Sequence, residues 1–413
     1  MKIAIVNRSD ARGGAAVVSR RLMHALRDAG ADARMLVAEK LTDDPFVRQV
    51  NTQWRFKAAF LAERAQIYAA NGHDRTSLFK VDTAAFGLPL ERDPWVKEAD
   101  VVMLNWINQG MLSLGSIRRI AARKRVIWTM HDLWNATGIC HHPGFCDNFR
   151  NECGRCIFLG RHASDEDLSH KVWKKKRTLY RATDIRFVAV SNWLAEKCRL
   201  SSLLQHQNLS VIPNAFPVPE TLPEPRKEVC GKITAVMAAA RLDDRIKGFS
   251  ILIHALRSLP EHVASRLRII FCGDIRDRSL LDAICVEHEW RGSVPVKDMP
   301  AIYSGADMVL SPSLYETLPG TLVEGQAYGA LPVAFDSGGQ RDIVADGDTG
   351  ILADFGADAH ANIRNYAEAL EKAVKMLDTA DRTRLGDRLR GNVEQRFSAP
   401  AVAARYLDLI ASM

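Results

Sequence analysis

Two stretches of the chain share one rhythm of apolar strand, polar or glycine-rich loop, and amphipathic helix. The first opens with a strand at residues 2–6, passes Gly13-Gly14 and enters a helix. There Val18, Leu22, Ala25, Leu26 and Ala29 recur at helical spacing as one apolar stripe. Further strands are predicted at 33–38, 101–104, 125–129, 187–189 and 209–212. The rhythm restarts with a strand at 233–239, a loop at 241–248, a helix at 249–259 and strands at 267–272, 307–311 and 331–335. Strands separated by helices imply a parallel sheet covered on both faces. Five prolines, Pro213, Pro217, Pro219, Pro223 and Pro225, fall between the two series within thirteen residues and read as a stiff linker.

The expected fold class is therefore α/β, with two Rossmann-like, doubly wound parallel-sheet domains. They are expected at 1–215 and 229–395, joined by a Pro-rich linker at 216–228. A last helix within 396–413 could pack back on either domain. At 413 residues the chain is too long for one typical core, which agrees with two domains. Tandem domains of this kind place a ligand cleft between them, at the carboxyl ends of the strands. No run of about 18 apolar residues is present, so no membrane-spanning helix is expected. The start has a short apolar strand and no signal-peptide pattern, so the expected location is the cytoplasm. A formal charge of +7 suits an anionic partner without choosing among a nucleotide, a lipid surface and a nucleic acid.

The stretch richest in chemistry is Glu316-Thr-Leu-Pro-Gly-Thr-Leu-Val-Glu324, just after the apolar segment Asp307–Ser313. Glu316 should lie on a loop, and Pro319 or Gly320 can open a helix that carries Glu324 in an early turn. Free backbone N–H groups and the positive end of a helix dipole then face two carboxylates. Phosphate suits the amides, and sugar hydroxyls suit the carboxylates. The bland alternative is a pair of unrelated surface glutamates. Arg241 and Lys247 flank a strand-to-helix loop, where a guanidinium and an ammonium can clamp two phosphates; basic loop residues are otherwise commonly solvated. Gly13-Gly14 occupies the corresponding loop of the first domain and permits positive φ. It is not the Gly-x-Gly-x-x-Gly dinucleotide pattern, which disfavours a nicotinamide cofactor.

Together these residues carry a resemblance. Arg241, Lys247, Glu316 and Glu324, with Ser337-Gly-Gly-Gln-Arg-Asp342 and Asp346-Gly-Asp-Thr-Gly350, resemble the donor half of a family-4 retaining glycosyltransferase of the GT-B fold. In the first half, Gly13-Gly14, Thr129-Met-His-Asp132, Val190-Ser191-Asn192 and Ile212-Pro213-Asn214 stand in that family's order. The forms around His131 and Glu316 look most like the bacterial exopolysaccharide and colanic-acid-type branch. The resemblance implies a hexosyltransferase moving sugar, with retention and without a catalytic metal, from a nucleotide diphosphate sugar to a glycan acceptor, expected to be lipid-linked. Arg241 and Lys247 would bind the diphosphate, and Glu324 the ribose. Glu316 would contact sugar hydroxyls, assisted by Leu318, Pro319, Gly320 and Thr321. Gly13 and Gly14 would offer backbone to the phosphates, and His131 would sit beside the transferred sugar. Ala215 and Asp342 depart from the family's usual Gly and Glu. Asp346-Gly-Asp348 is expected to be a turn.

Two features lie outside that pattern. Cys140, Cys146, Cys153 and Cys156 fall within seventeen residues and end in a Cys-x-x-Cys pair, the spacing of a structural zinc site, with ordinary reduced thiols as the alternative. The basic stretch His170–Arg177, with Trp173, Leu179 and Tyr180, could anchor a helix at an anionic membrane. A solvated helix with one buried side is the simpler expectation, and no nucleic-acid-binding motif accompanies it. Two other functions are weighed. One is an epimerase of the same fold, which needs no external acceptor. The other is a catalytically inert zinc-stabilised protein that binds nucleic acid.

Overall fold

The computed structural model describes residues 1–50, 53–221 and 231–413. The chain forms two compact units, Met1–Ala215 with Val402–Met413, and Phe216–Ala401. Pro223 and Pro225 of the expected linker lie outside the described residues. Among the described residues no helix is long and apolar enough to cross a membrane.

The first unit contains strands β1 (Lys2–Ser9), β2 (Asp32–Glu39), β3 (Val47–Gln49), β4 (Val101–Leu104), β5 (Arg125–Met130), β6 (Ile185–Ala189) and β7 (Leu209–Val211). They form one sheet in the order β3-β2-β1-β4-β5-β6-β7, and every pairing is parallel. Ile3, Ala4, Ile5 and Val6 are all buried, as a central strand covered on both faces requires. The strand order reverses between β1 and β4, so the carboxyl ends of these two strands flank the crevice where such sheets bind ligands.

The helix after β1 runs Gly14–Asp28 and buries Val18, Leu22, Ala25 and Leu26. Ala29, expected on the same stripe, caps the helix and is exposed, because the chain turns at Gly30 with φ +90°. The last helix, Ala399–Ala411, supplies Tyr406 to the first unit. Its hydroxyl lies 2.9 Å from Thr129 Oγ1, and the Arg125 guanidinium donates to the Ile410 carbonyl.

The second unit contains β8 (Ile233–Arg241), β9 (Leu267–Asp274), β10 (Glu287–Trp290), β11 (Met308–Ser311), β12 (Leu331–Phe335) and β13 (Ile351–Ala353). Their order is β10-β9-β8-β11-β12-β13, again parallel throughout. One continuous core joins Met237, Phe249, Phe271, Leu310, Val333 and Tyr366. Here the order reverses between β8 and β11, which places Arg241 and the Glu316 loop at the two strand ends flanking the switch point.

Candidate active site

In the second unit, β8 ends at Arg241, and the loop that follows closes through a short 3-10 turn, Arg245–Lys247. Gly248 then starts helix Phe249–Arg257 with φ +68°. A Cβ there would lie 1.9 Å from the Pro312 carbonyl oxygen, so the close approach of this loop to the end of β11 requires glycine. That approach brings Lys247 to Glu316, with Nζ donating to Oε1 at 2.6 Å. Arg241 lies against Asp243 and Asp244, 3.4 and 3.2 Å away.

The Glu316 loop is held from below by Gly338-Gly339. Gly339 N–H donates to the Glu316 carbonyl at 2.8 Å, and a Cβ on Gly339 would meet the Thr317 carbonyl oxygen at 2.0 Å. Helix Gly320–Ala327 begins after Pro319 without a side-chain cap, and Glu324 sits in its second turn. Its first N–H groups are therefore available to an anion. The sequence expectation of a strand, a loop carrying Glu316, and a helix opening at Gly320 describes this arrangement. Leu318, Thr321 and Gly320 are half-buried around it, and Pro319 is buried. Asp346-Gly-Asp348 forms a turn in which Gly347 N–H donates to the Gly350 carbonyl; Asp346 accepts from the Leu352 amide, and Asp348 pairs with Arg388.

In the first unit, Gly13 takes φ +89° as the N-cap of helix Gly14–Asp28, and space is open where a Cβ on Gly14 would stand. Asn105 and Trp106 follow β4, and His131 and Asp132 follow β5. His131 Nε2 lies 3.1 Å from Asn105 Oδ1. Burial holds the His131 pKa down to about 4 against the opposing pull of Asp132, so its imidazole is neutral near pH 7. Asn105 Nδ2 beside it is buried without a hydrogen-bond partner among the described residues. Unfolded histidine titrates near 6.5, so between about 4 and 6.5 the unfolded chain binds the extra proton. We expect the first unit to lose stability as pH falls through this window. Urea unfolding at several pH values should show the loss, and His131→Asn should reduce it.

Sequence reasoning missed the charged run behind His131. Asp132 Oδ2 accepts from His141 Nδ1 at 2.8 Å and from Trp106 Nε1 at 3.1 Å, while its Oδ1 accepts from the Trp134 amide at 2.8 Å. His141 Nε2 donates to Asp82 Oδ2 at 2.7 Å, and Asp82 is also paired with Arg64, itself beside Glu63. Burial alone would raise the Asp132 pKa and lower that of His141. Their mutual attraction prevails, with Asp82 adding to it on the His141 side, and the pair is held as carboxylate and imidazolium.

Cys140, Cys153 and Cys156 are buried and Cys146 is half-buried; all four are free thiols. Burial is the main force raising the pKa of Cys153 to about 11 and that of Cys156 to about 12. The Gly138 amide donates to Cys153 Sγ at 3.1 Å. Among the described residues no three His, Cys, Asp or Glu side chains form a group that could hold a metal ion.

The basic stretch lies on helix Leu168–Arg181, which buries Trp173, Leu179 and Tyr180. Their burial agrees with the simpler expectation of a solvated helix with one buried side and removes these three side chains as membrane anchors. Lys176, in the middle of the run, is fully buried, with its ammonium donating to the Trp134 and Thr137 carbonyls and lying 3.2 Å from the centre of the Trp134 ring. The helical spacing of Val172, Trp173, Lys176, Leu179 and Tyr180 was the signal for its inward face.

Residues 226–387 match the family described as glycosyl transferases group 1. A stretch of 181 residues is 29% identical to the lipopolysaccharide core biosynthesis glycosyltransferase LpsE of Rhizobium meliloti (strain 1021), covering 43% of this chain and 49% of that protein. A stretch of 189 residues is 31% identical to a D-inositol 3-phosphate glycosyltransferase of Corynebacterium aurimucosum, covering 43% of each. The matches thus span less than half the length of these relatives. The crystal structure of Anabaena Alr3699/HepE in complex with UDP and glucose superposes with a TM-score of 0.63 over 100% of both chains at 16% identity, a likeness of fold. Residues 226–387 therefore carry the sequence of group 1 glycosyl transferases, within a chain whose two parallel-sheet units have the fold of GT-B glycosyltransferases.

Proposed function

We propose that this protein is a retaining glycosyltransferase that moves a sugar from a nucleoside diphosphate sugar to a hydroxyl of a glycan acceptor. The observation that carries the proposal is the second unit's switch point. There Lys247, Glu316, Arg241 and the uncapped start of helix Gly320–Ala327 gather around the ends of β8 and β11. The bond from the sugar's anomeric carbon to the diphosphate oxygen breaks, the acceptor oxygen forms the new bond, and the acceptor's proton passes to the departing diphosphate. Arg241, Lys247 and the helix amides neutralise charge growing on the departing diphosphate, where preorganised donors lower the barrier most. In the ligand-free pair Glu316 holds the Lys247 ammonium in place; phosphate then replaces the carboxylate, which turns to sugar hydroxyls. Glu324 accepts from the ribose hydroxyls.

By the resemblance, the Gly13-Gly14 backbone of the first unit would face phosphate, and the neutral His131 ring, which can donate to or accept from a hydroxyl, would face sugar. Retention, a lipid-linked acceptor, a role in bacterial exopolysaccharide or another surface polysaccharide, and action in the cytoplasm complete the proposal, all on the strength of the sequence resemblance. The test is release of nucleoside diphosphate from UDP-, GDP- and ADP-sugars without added metal, with and without candidate acceptors. Turnover of one donor that grows with an acceptor supports transfer. Conversion of the donor sugar without an acceptor would instead indicate an epimerase, and absence of donor binding would sink both.

Structural zinc remains a proposal for the Cys140–Cys156 loop, and it requires the four sulfurs to draw together. About one zinc per chain is expected by elemental analysis of protein purified without chelator, and less in Cys153→Ser. Zinc-free, fully folded protein would leave ordinary thiols.

A further inference from the structure

Helix Gly320–Ala327 is held at two places. Near its C-terminal end Gln326 is fully buried; its Nε2 donates to the Thr349 carbonyl at 2.7 Å, and its Oε1 accepts from Asn392 Nδ2 at 2.9 Å. Asn392 belongs to helix Arg382–Phe397. At the start of helix Gly320–Ala327 no side chain caps the free amides, and the contact is an aromatic ring. A Cβ on Gly320 would stand 2.9 Å from Cε1 and 3.3 Å from Cζ of Phe216. The backbone does not ask for glycine there, since Gly320 is helical and has no positive φ. Alanine is the better helix former, so the ring is what stands in its way. Phe216 is 3% exposed, which leaves that ring little room to swing aside. Its amide donates to the Phe397 carbonyl at 2.8 Å, and it forms a parallel bridge with Ser398. Arg390, on the same helix as Asn392, donates to the Pro219 and Glu220 carbonyls at 2.9 and 2.8 Å. The chain enters the second unit at Phe216, so one ring sits both at that entry and against the first residue of the helix proposed to meet the donor.

We propose that Phe216 is a positioning residue for the donor: its ring is the stop against which Gly320 rests, and it sets where the free amides of the first helical turn point. The donor role rests on the transferase proposal; the contact between ring and helix does not. The argument is steric. Free N–H groups stabilise growing negative charge only when they are held in place beforehand, and a misplacement of about 1 Å removes much of the effect. Gln326 fixes the far end of this helix, yet eight residues pinned at one end can still tilt at the other. Pro319 and Gly320 carry no side chain able to hold the start by a hydrogen bond, so packing has to do it. Phe216→Leu keeps an apolar side chain and removes the atoms at Cε1 and Cζ, which opens the space that a Cβ on residue 320 needs. The pair therefore has a reciprocal property. Gly320→Ala is unfavourable while the ring is present and is tolerated in the Phe216→Leu background.

The test uses the full chain as Gly320→Ala, Phe216→Leu and the double variant. Binding of UDP, GDP and ADP is measured by calorimetry, and denaturant unfolding is followed on the same preparations. In Gly320→Ala we expect affinity for the diphosphate that the wild type binds to fall about tenfold, and in Phe216→Leu about three- to fivefold, sizes ordinary for residues in contact. The double variant should bind within about twofold of Phe216→Leu alone, because the added methyl then meets no ring. Direct crowding of the donor by that methyl would give another result: the loss from Gly320→Ala persists in the double variant, and the proposal is overturned. A merely structural ring would lower the stability of Phe216→Leu and leave the affinity of its folded form unchanged, which also overturns it and leaves the transferase proposal standing. If Phe216→Leu does not fold, Gly320→Ala alone decides. The proposal then requires weaker binding in a protein no more stable than the wild type. Unchanged binding, with the added stability of a glycine-to-alanine change in an unobstructed helix, overturns it. If the wild type binds none of the three diphosphates, the transferase proposal fails and the donor role of Phe216 fails with it; non-additive unfolding of the two substitutions would still show the ring set against the helix.

Discussion

Lys247→Ala should lower kcat by about 10²–10³, the loss typical of removing one preorganised charge stabiliser from a transition state. The argument begins with its geometry. The ammonium has a defined position before any donor arrives, because Gly248 brings its loop against the Pro312 backbone and Glu316 accepts its hydrogen bond at 2.6 Å. A cation already in place needs no reorganisation as negative charge grows on the leaving diphosphate. Donor affinity should fall less than kcat, since the ground-state diphosphate already carries most of its charge and, in the proposed site, would also meet Arg241 and the helix amides. Glu316→Gln provides the contrast. It removes the carboxylate that holds Lys247 and leaves the ammonium present, so diphosphate binding should survive while contact with sugar hydroxyls weakens. Steady-state nucleoside diphosphate release and donor binding on the same preparations check both. Unchanged kcat in Lys247→Ala would remove the ammonium from the mechanism.

The parts of this fold legible in the sequence are those set by local pattern. Central strands such as β1, β8 and β12 are continuous apolar runs because helices cover both faces of the sheet. Strands that escaped notice, β3, β10 and β13, all lie at sheet edges. Each is three or four residues long, and β10 reads Glu-His-Glu-Trp. An edge strand buries less and tolerates charge, so the apolar signal is absent where the strand exists. The residues proposed for the donor were visible for the same local reason: Glu316, Gly320 and Glu324 are close in sequence, and the strand-to-helix junction orders them. Glu63, Asp82, Asp132 and His141 come from separate segments, and no spacing rule links them. Lys176 was not singled out, because its neighbours in the run are basic, although its helical position matches the apolar face.

Arg64→Met should destabilise the first unit by about 3–5 kcal/mol, the usual result of removing one partner from a buried charge cluster. The Arg64 side chain is 7% exposed, and those of Glu63 and Asp82 are fully buried. Methionine fills much of the same volume, so a cavity is a minor part of the loss. The major part is two carboxylates left in protein with one cation fewer, His141 being the counter-charge that remains to Asp82. That cause makes two further demands. Glu63→Gln in the Arg64→Met background should recover part of the lost stability, because it removes one uncompensated charge; a packing defect would not respond. Burial and then Asp82 already raise the Glu63 pKa against the pull of Arg64, so without the guanidinium Glu63 should take up a proton more readily. A carboxyl raised in the folded state costs stability above its unfolded pKa and costs nothing once both states are protonated. The deficit of Arg64→Met relative to wild type should therefore shrink from pH 8 toward pH 5. Denaturant unfolding of the two single variants and the double variant at both pH values measures all of this. A deficit independent of pH and unrelieved by Glu63→Gln would show that Arg64 acts there through packing, not charge.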